Sequence, residues 1–135
     1  MAKTAIVTGA SRGIGREIAK RLASDGFSVV VNYSGNSAKA AETVRESQDA
    51  GGVASAIQAD VSSETDVQRL FAAAQEEFRQ IDVVVHSAGI MTLAPIIKND
   101  VQEFDRVIAT NLRGAFLVLS QAAVYPQRRS NRRSF

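Results

Sequence analysis

Three glycines and the polar side chains between them are the first residues in this chain whose types and spacing could do chemistry. Gly9, Gly13 and Gly15 lie in Thr8-Gly9-Ala10-Ser11-Arg12-Gly13-Ile14-Gly15, a G-x-x-x-G-x-G pattern. Without a Cβ, such a turn can be tight and can bring its backbone N–H groups close to a bulky anion. Ahead of it, Ala5-Ile6-Val7 is an apolar run with no polar alternation, as a strand buried on both faces requires. Behind it, Ile14, Ile18 and Leu22 recur at four-residue spacing among Arg16, Glu17, Lys20 and Arg21, the pattern of a helix with one buried stripe. Strand, glycine turn and helix aim free N–H groups and the positive end of a helix dipole at a phosphate. The alternative is a turn whose glycines serve backbone geometry alone.

The elements that must hold this turn follow in order. Ser24-Asp25-Gly26 stops the first helix. Ser28 to Tyr33 reads as a second buried strand, and Ser34-Gly35-Asn36-Ser37 as a turn ending in an N-cap. Ala38 to Ala50 reads as a helix closed by Gly51-Gly52, and Val53 to Ala59 as a third, weaker strand with Asp60 at its carboxyl end. Ser62 or Ser63 caps a helix running to about Arg79, with Val67, Leu70, Phe71, Ala74 and Phe78 as its stripe. Ile81 to Val85 is a fourth buried strand, delivering His86-Ser87-Ala88-Gly89. Met91 to Lys98 is a loop containing Pro95. A long helix follows from about Asp100 to about Val124, with Phe104, Val107, Ile108, Leu112, Phe116 and Leu119 inward and Gly114 at a bend or close contact.

Strands alternating with helices imply an α/β fold, a Rossmann-type doubly wound parallel sheet with four strands in the order 3-2-1-4. Ligands bind beyond the carboxyl ends of such strands. Four clusters fall on that edge: Thr8 to Gly15, Tyr33-Ser34, Asp60-Val61 and Ser87 to Ile90.

The bulk properties set bounds. A chain of 135 residues, 45% hydrophobic and 22% charged, fits one soluble domain. It has no cysteine, which excludes disulfides and thiolate metal sites. Met1-Ala2-Lys3-Thr4 leads straight into the first strand, and no run nears ~20 continuous apolar residues, so neither a signal peptide nor a membrane span is expected. The expectation is a cytoplasmic protein. The pI of about 9.3 belongs to the tail: Arg128, Arg129, Arg132 and Arg133 lie in the last eight positions, and without them the formal charge falls from +2 to −2. With no aromatic interleaving in the tail and no basic face on the body, nucleic acid is not an expected partner.

T-G-A-S-R-G-I-G resembles the cofactor-binding turn of the short-chain dehydrogenase/reductase family. Asp60-Val61 looks like the family's acidic pair that holds the adenine ring; the alternative is an aspartate capping the next helix. His86-Ser87-Ala88-Gly89 occupies the slot of the family's N-N-A-G motif, keeping Ala88 and Gly89 and replacing both asparagines, and its small residues suit a backbone lying against a ribose. His86, without an acidic or serine partner in sequence, reads as structural. Phe104-Asp105-Arg106-Val107-Ile108-x-x-Asn111-Leu112-x-Gly114 is similar to the family's fourth-helix signature. By that resemblance Asn111 is a member of the catalytic tetrad that kinks its helix and anchors a water; from spacing alone it would be solvent-facing or bonded to a carbonyl.

The resemblance implies a dinucleotide cofactor, bound through Thr8, Gly9, Ser11, Arg12, Gly13, Ile14, Gly15, Tyr33, Ser34, Asp60, Val61, Ser87, Ala88 and Gly89, and a small carbonyl or alcohol substrate. Tyr33-Ser34 offers no carboxylate to repel a 2′-phosphate and Arg12 offers a fixed positive charge, which favours NADP(H) over NAD(H); Arg12 as a solvated loop residue is the alternative. The family's serine and Y-x-x-x-K are missing. Tyr125-Pro126-Gln127-Arg128-Arg129 is no substitute: Pro126 discourages helix at Tyr125, and no fifth strand precedes it. The family-like domain is expected to span residues 1–124. Tyr125 to Phe135 would then be a disordered tail or out-of-frame translation, with another reading frame of the coding DNA expected to restore the missing motifs. The implied function is that of a short-chain oxidoreductase whose chain, as it stands, is inactive. The alternative is a module that binds the dinucleotide without turnover. Self-association is expected through the last helix or an exposed sheet edge.

Overall fold

A computed structural model describes residues 2–125. β1 (Thr4–Thr8) runs into α1 (Gly13–Ser24), β2 (Ser28–Tyr33), α2 (Ser37–Asp49), β3 (Val53–Gln58), α3 (Glu64–Phe78) and β4 (Val83–His86). Beyond a 3₁₀ turn at Ile96–Lys98, α4 (Val101–Ile108), a π-turn (Ala109–Arg113) and α5 (Gly114–Val124) follow one another without a break. The sheet is parallel with the order β3-β2-β1-β4, the expected Rossmann-type topology.

All of β1 is buried, because its side chains alternate between two apolar layers. Ile6 and Val30 face Val67, Leu70 and Phe71 of α3 and Leu117 and Val118 of α5. Val7, Val29 and Val31 face Ala19, Ala23 and Ala40 of α1 and α2. The first layer holds the largest buried side chain, Phe71; truncating such a ring to alanine costs about 3–5 kcal/mol. In the second layer, small residues let helix and loop approach closely: a Cβ on Gly52 would lie 2.6 Å from that of Ala23.

Local chemistry sets the boundaries. Gly26 ends α1 with φ +92°, and Ser63 caps α3 by accepting from Asp66 N–H at 3.3 Å. The cap of α2 is Asn36, not Ser37: its Oδ1 accepts from Lys39 N–H at 3.0 Å. β4 starts two residues later than expected and is half-buried, not buried, because among the described residues nothing pairs with its outer side.

The long helix corrects a larger expectation. Gly114, Leu117 and Val118 are its buried residues, and a Cβ on Gly114 would lie 2.8 Å from Val61 Cγ2. The stripe expected inward points out: Phe104 is 63%, Leu112 65% and Phe116 70% exposed, with Ile108 and Leu119 also exposed. Val107 is half-buried. Because α5 is apolar almost all round, its periodicity cannot tell which stripe faces the sheet. Val101–Val124 is also the one helix among the described residues long and apolar enough, by length and composition, to cross a membrane. It packs on α3 through Leu117 and Val118. Tyr125, expected in the tail, sets its ring 5.5 Å from that of Phe71; the rest of the expected tail lies outside the described residues.

Candidate functional site

The carboxyl ends of the four strands form the floor of an open cleft of ≈ 790 Å³. One wall is the turn between β1 and α1. Gly9 and Gly13 have φ of +60° and +58°, a region that favours glycine. Gly9 also has no room for a side chain: a Cβ would lie 2.6 Å from Ala88 Cα. A Cβ on Gly15 would collide with the Gly9 carbonyl and the Ser87 hydroxyl. Above Gly13, nothing among the described residues lies within 4 Å of where a Cβ would sit. The turn is thus pressed onto β4 from below and open from above.

Arg12, at the N-cap of α1, makes no side-chain cap, and the first turn carries no acidic residue. The N–H groups at the start of α1 therefore sit at the cleft with the helix dipole behind them and no acidic side chain of their own turn to neutralise it. Ser11, Arg12, Gly13, Ile14 and Gly15 all line the cleft. Thr8 does not. It is fully buried, and its hydroxyl accepts from Ser87 N–H at 3.1 Å and Ala88 N–H at 3.2 Å. Ser87 Oγ donates to the Thr8 carbonyl at 2.6 Å. Thr8 ties β1 to the Ser87-Ala88 backbone beneath the cleft, with its hydroxyl engaged below the cleft wall.

Tyr33 and Ser34 line the next part of the wall, Asp60 and Val61 the one beyond, and Ser87, Ala88 and Gly89 the opposite side. Asp60 does not cap α3. Its Oδ1 accepts from Ser62 N–H at 2.9 Å and Ser62 Oγ at 2.7 Å, and its own N–H donates to Asp66 at 2.8 Å. The carboxylate is held at the rim by its neighbours, with Asp60 itself exposed.

Asn111 sits in the π-turn, where the helix widens by one residue. Its amide is spent on Ile90: Nδ2 donates to the Ile90 carbonyl at 2.7 Å and Oδ1 accepts from Ile90 N–H at 2.8 Å. Of the readings open from the sequence, the carbonyl-bonded amide is present, set in a π-turn and not in regular α-helix. Thr110, Ala109 and Arg106 line the cleft beside it. Arg106 is itself gripped by Glu103, which also accepts from Thr92. The guanidinium first, then the Thr92 hydroxyl, hold the Glu103 carboxyl down at about 2.

Three contributors were not visible from motif spacing. Asn32, buried at the end of β2, accepts from Gly9 N–H at 3.3 Å and donates to the Ile57 and Ala59 carbonyls, each at 3.2 Å. It locks the glycine turn to the ends of β2 and β3. Its signal is an amide in an otherwise β-branched strand, at the carboxyl end. Lys39, 3.8 Å from Glu42, brings a second cation to the cleft wall. Arg113 donates to the Ser62 carbonyl at 3.1 Å, tying the π-turn to the loop after β3.

A cleft with these walls, over the carboxyl edge of a doubly wound parallel sheet and at the uncapped start of a helix, defines an α/β protein of nucleotide-binding type. The chain belongs to the short chain dehydrogenase family, whose model matches residues 3–131. It is 44% identical over 114 residues to 3beta-hydroxysteroid dehydrogenase 1 of Eggerthella lenta, a match covering 84% of this chain and 44% of that protein. It is 43% identical over 122 residues to 3-oxoacyl-[acyl-carrier-protein] reductase FabG of Staphylococcus aureus, covering 90% of this chain and 50% of that one. A dehydrogenase/reductase structure from Sinorhizobium meliloti superposes with a TM-score of 0.88 at 40% identity, over 93% of this chain and 50% of its own. A dehydrogenase from Burkholderia cenocepacia with bound NADP superposes with a TM-score of 0.85 at 28% identity, over 92% of this chain and 48% of its own. The chain spans about half the length of the curated relatives it matches.

Proposed function

We propose that this chain is the dinucleotide-binding part of a short-chain oxidoreductase that takes NADP(H) in preference to NAD(H), and that this polypeptide alone binds the cofactor without turning it over. The observation that carries the reading is the start of α1, uncapped, free of acids and open above Gly13. An anion such as a diphosphate is what such a helix end holds. Arg12 and Lys39 line the cleft with Tyr33 and Ser34, two cations for an adenosine 2′-phosphate, Lys39 also pairing with Glu42 at 3.8 Å. Tyr33 and Ser34 themselves carry no carboxylate to repel it. Asp60 and Val61 would take the adenine side, and Ser87, Ala88 and Gly89 the ribose side.

The cofactor supplies or accepts a hydride, exchanged with a carbonyl or alcohol substrate. For this chain the remaining need is a proton donor beside the developing alkoxide. Neither tyrosine has a lysine four residues on: Tyr33 is followed there by Ser37 and Tyr125 by Arg129. That absence favours binding without turnover by these 135 residues. The exposed stripe on α4 and α5 supports a further element of the reading, association with a second copy along this helix.

Titration of the purified full chain with NADPH and with NADH, followed by an assay for carbonyl-dependent NADPH oxidation, tests the reading. Tighter binding of NADPH without oxidation is the expected result. Equal affinity for NADH would remove the preference, oxidation would make the chain an enzyme in its own right, and no binding of either would overturn the reading.

A further inference from the structure

His86, the one histidine in the chain, stands at the end of β4 directly beside Thr8 in the ladder. Its Nδ1 lies 2.9 Å from Thr8 Oγ1. That oxygen already accepts from the N–H groups of Ser87 and Ala88. A hydroxyl has two acceptor positions and one proton to give. With both positions filled by main-chain donors, the Thr8 proton points at Nδ1, so Nδ1 is the unprotonated nitrogen. His86 is therefore neutral with its proton on Nε2, a buried atom without a partner among the described residues.

Among the described residues, no charge offsets this. β1, β4 and α5 carry no ionisable group other than His86, and neither does the chain from Ser87 to Ile97. On the same side of the sheet α3 turns Val67, Leu70, Phe71 and Ala74 inward, with Glu64, Arg69, Glu76 and Glu77 exposed and Asp66 engaged with Asp60 N–H. Burial alone moves the His86 ionisation, and moves it below the ordinary histidine value.

We propose that His86 is a positioning residue for the cofactor cleft: acting through Thr8, its neutral ring fixes the Ser87-Ala88 backbone and the Gly9 turn, and its protonation releases them. An imidazolium carries N–H on both nitrogens. Nδ1–H would compete with the two amides for Thr8 Oγ1, and the Thr8 proton would lose its acceptor. Three donors cannot share two acceptor positions, so one amide is let go. The effect reaches the phosphate turn because Gly9 is pressed against Ala88 and Ser87 Oγ is bonded to the Thr8 carbonyl. An asparagine in this slot could accept the same Thr8 proton and could not titrate.

The consequence for cofactor rests on the dinucleotide reading above; the switch itself does not, and two readouts on the full chain separate them. In the first, amide shifts of Gly9, Ser87 and Ala88 are followed by ¹⁵N NMR without nucleotide, from about pH 8 to about pH 5, in wild type and His86→Asn. A single step shared by the three amides and the His86 ring is expected, with its midpoint below the ordinary histidine value, and no step in His86→Asn. In the second, NADPH affinity is measured over the same range. A loss of about tenfold in wild type and less than about twofold in His86→Asn is expected. A ring that titrates while the three amides stand still overturns the proposal, as does the same amide step in His86→Asn. If NADPH fails to bind at any pH, the cofactor reading falls and the amide step still decides this one. Should His86→Asn not fold, His86→Gln offers the same amide acceptor on a longer stem.

Discussion

Asn111 and Ile90 exchange two hydrogen bonds, each closing on the other's polar atoms at 2.7 and 2.8 Å. One residue inside a helix thereby fixes the backbone of the segment leaving β4, at the point where Gly89 passes within 3.4 Å of the same amide, measured from its would-be Cβ. Asn111→Ala removes both bonds and should cost about 1–2 kcal/mol, since each is worth about 0.5–1.5 kcal/mol net and the site is solvent-accessible. The measurement is urea unfolding together with hydrogen exchange at Ile90, whose amide should lose its protection; an Ile90 amide still protected in the variant would show that the loop holds itself.

Arg12 has no ion-pair or hydrogen-bonded side-chain partner among the described residues and lines the cleft. Arg12→Ala should weaken NADPH by about 10- to 100-fold, the range of one to two charge-assisted contacts, and NADH by less than about threefold. Equal losses for the two cofactors would place Arg12 on the shared diphosphate and not on a 2′-phosphate.

Asn32→Ala should be among the more damaging single changes in the site, although the side chain need touch no ligand. It strands a Gly9 N–H and two carbonyls beneath the turn, at a cost of about 2–4 kcal/mol. Asn32→Asp keeps the acceptor and sets a carboxylate against the Ile57 and Ala59 carbonyls, so it should not rescue. Thermal unfolding with and without NADPH distinguishes a loss of fold from a loss of binding.

Phe116→Glu combined with Leu112→Glu should shift the chain from an associated form to a monomer in sedimentation velocity. Both side chains are among the most exposed apolar groups on the long helix, and a charge there is solvated in the monomer but buried in any helix-to-helix contact. A wild-type chain that sediments as a monomer would contradict the association.

Stability should fall on acidification through His86. Its folded value lies below the ordinary one, so the unfolded chain takes the proton first. The contribution is complete above about pH 6.5 and is lost as pH falls through the folded midpoint. Urea midpoints should decline over that interval in wild type and stay flatter in His86→Asn. Glu103, held at about 2 by Arg106 and Thr92, should stay ionised throughout, which a carboxyl NMR titration checks.

The sheet order and the location of the cleft were legible because each strand is a short β-branched run bracketed by glycine or a polar turn, leaving little choice between helix and strand. The glycine turn was legible for the same reason, since its three positions are fixed by φ, by Ala88 and by Ser87. Asn32 was not, because an amide at the end of a strand reads as the start of a loop until its three partners are seen. The facing of α4 and α5 was not, because α5 is apolar on nearly every side and its buried stripe is made of the smaller Gly114 together with Leu117 and Val118. Nor was the role of Thr8, whose place in the motif matches a ligand contact but whose hydroxyl is consumed below the floor.

The π-turn makes the long helix intolerant of changes in length. A residue inserted or deleted between Phe104 and Ala109 would rotate everything after it by about 100°. Asn111 would swing away from Ile90, and the gap that Gly114 leaves for Val61 would receive a side chain instead. Loop grafts and domain insertions in this protein therefore belong in the exposed segment from Met91 to Lys98, ahead of the helix, where an added residue disturbs no phase.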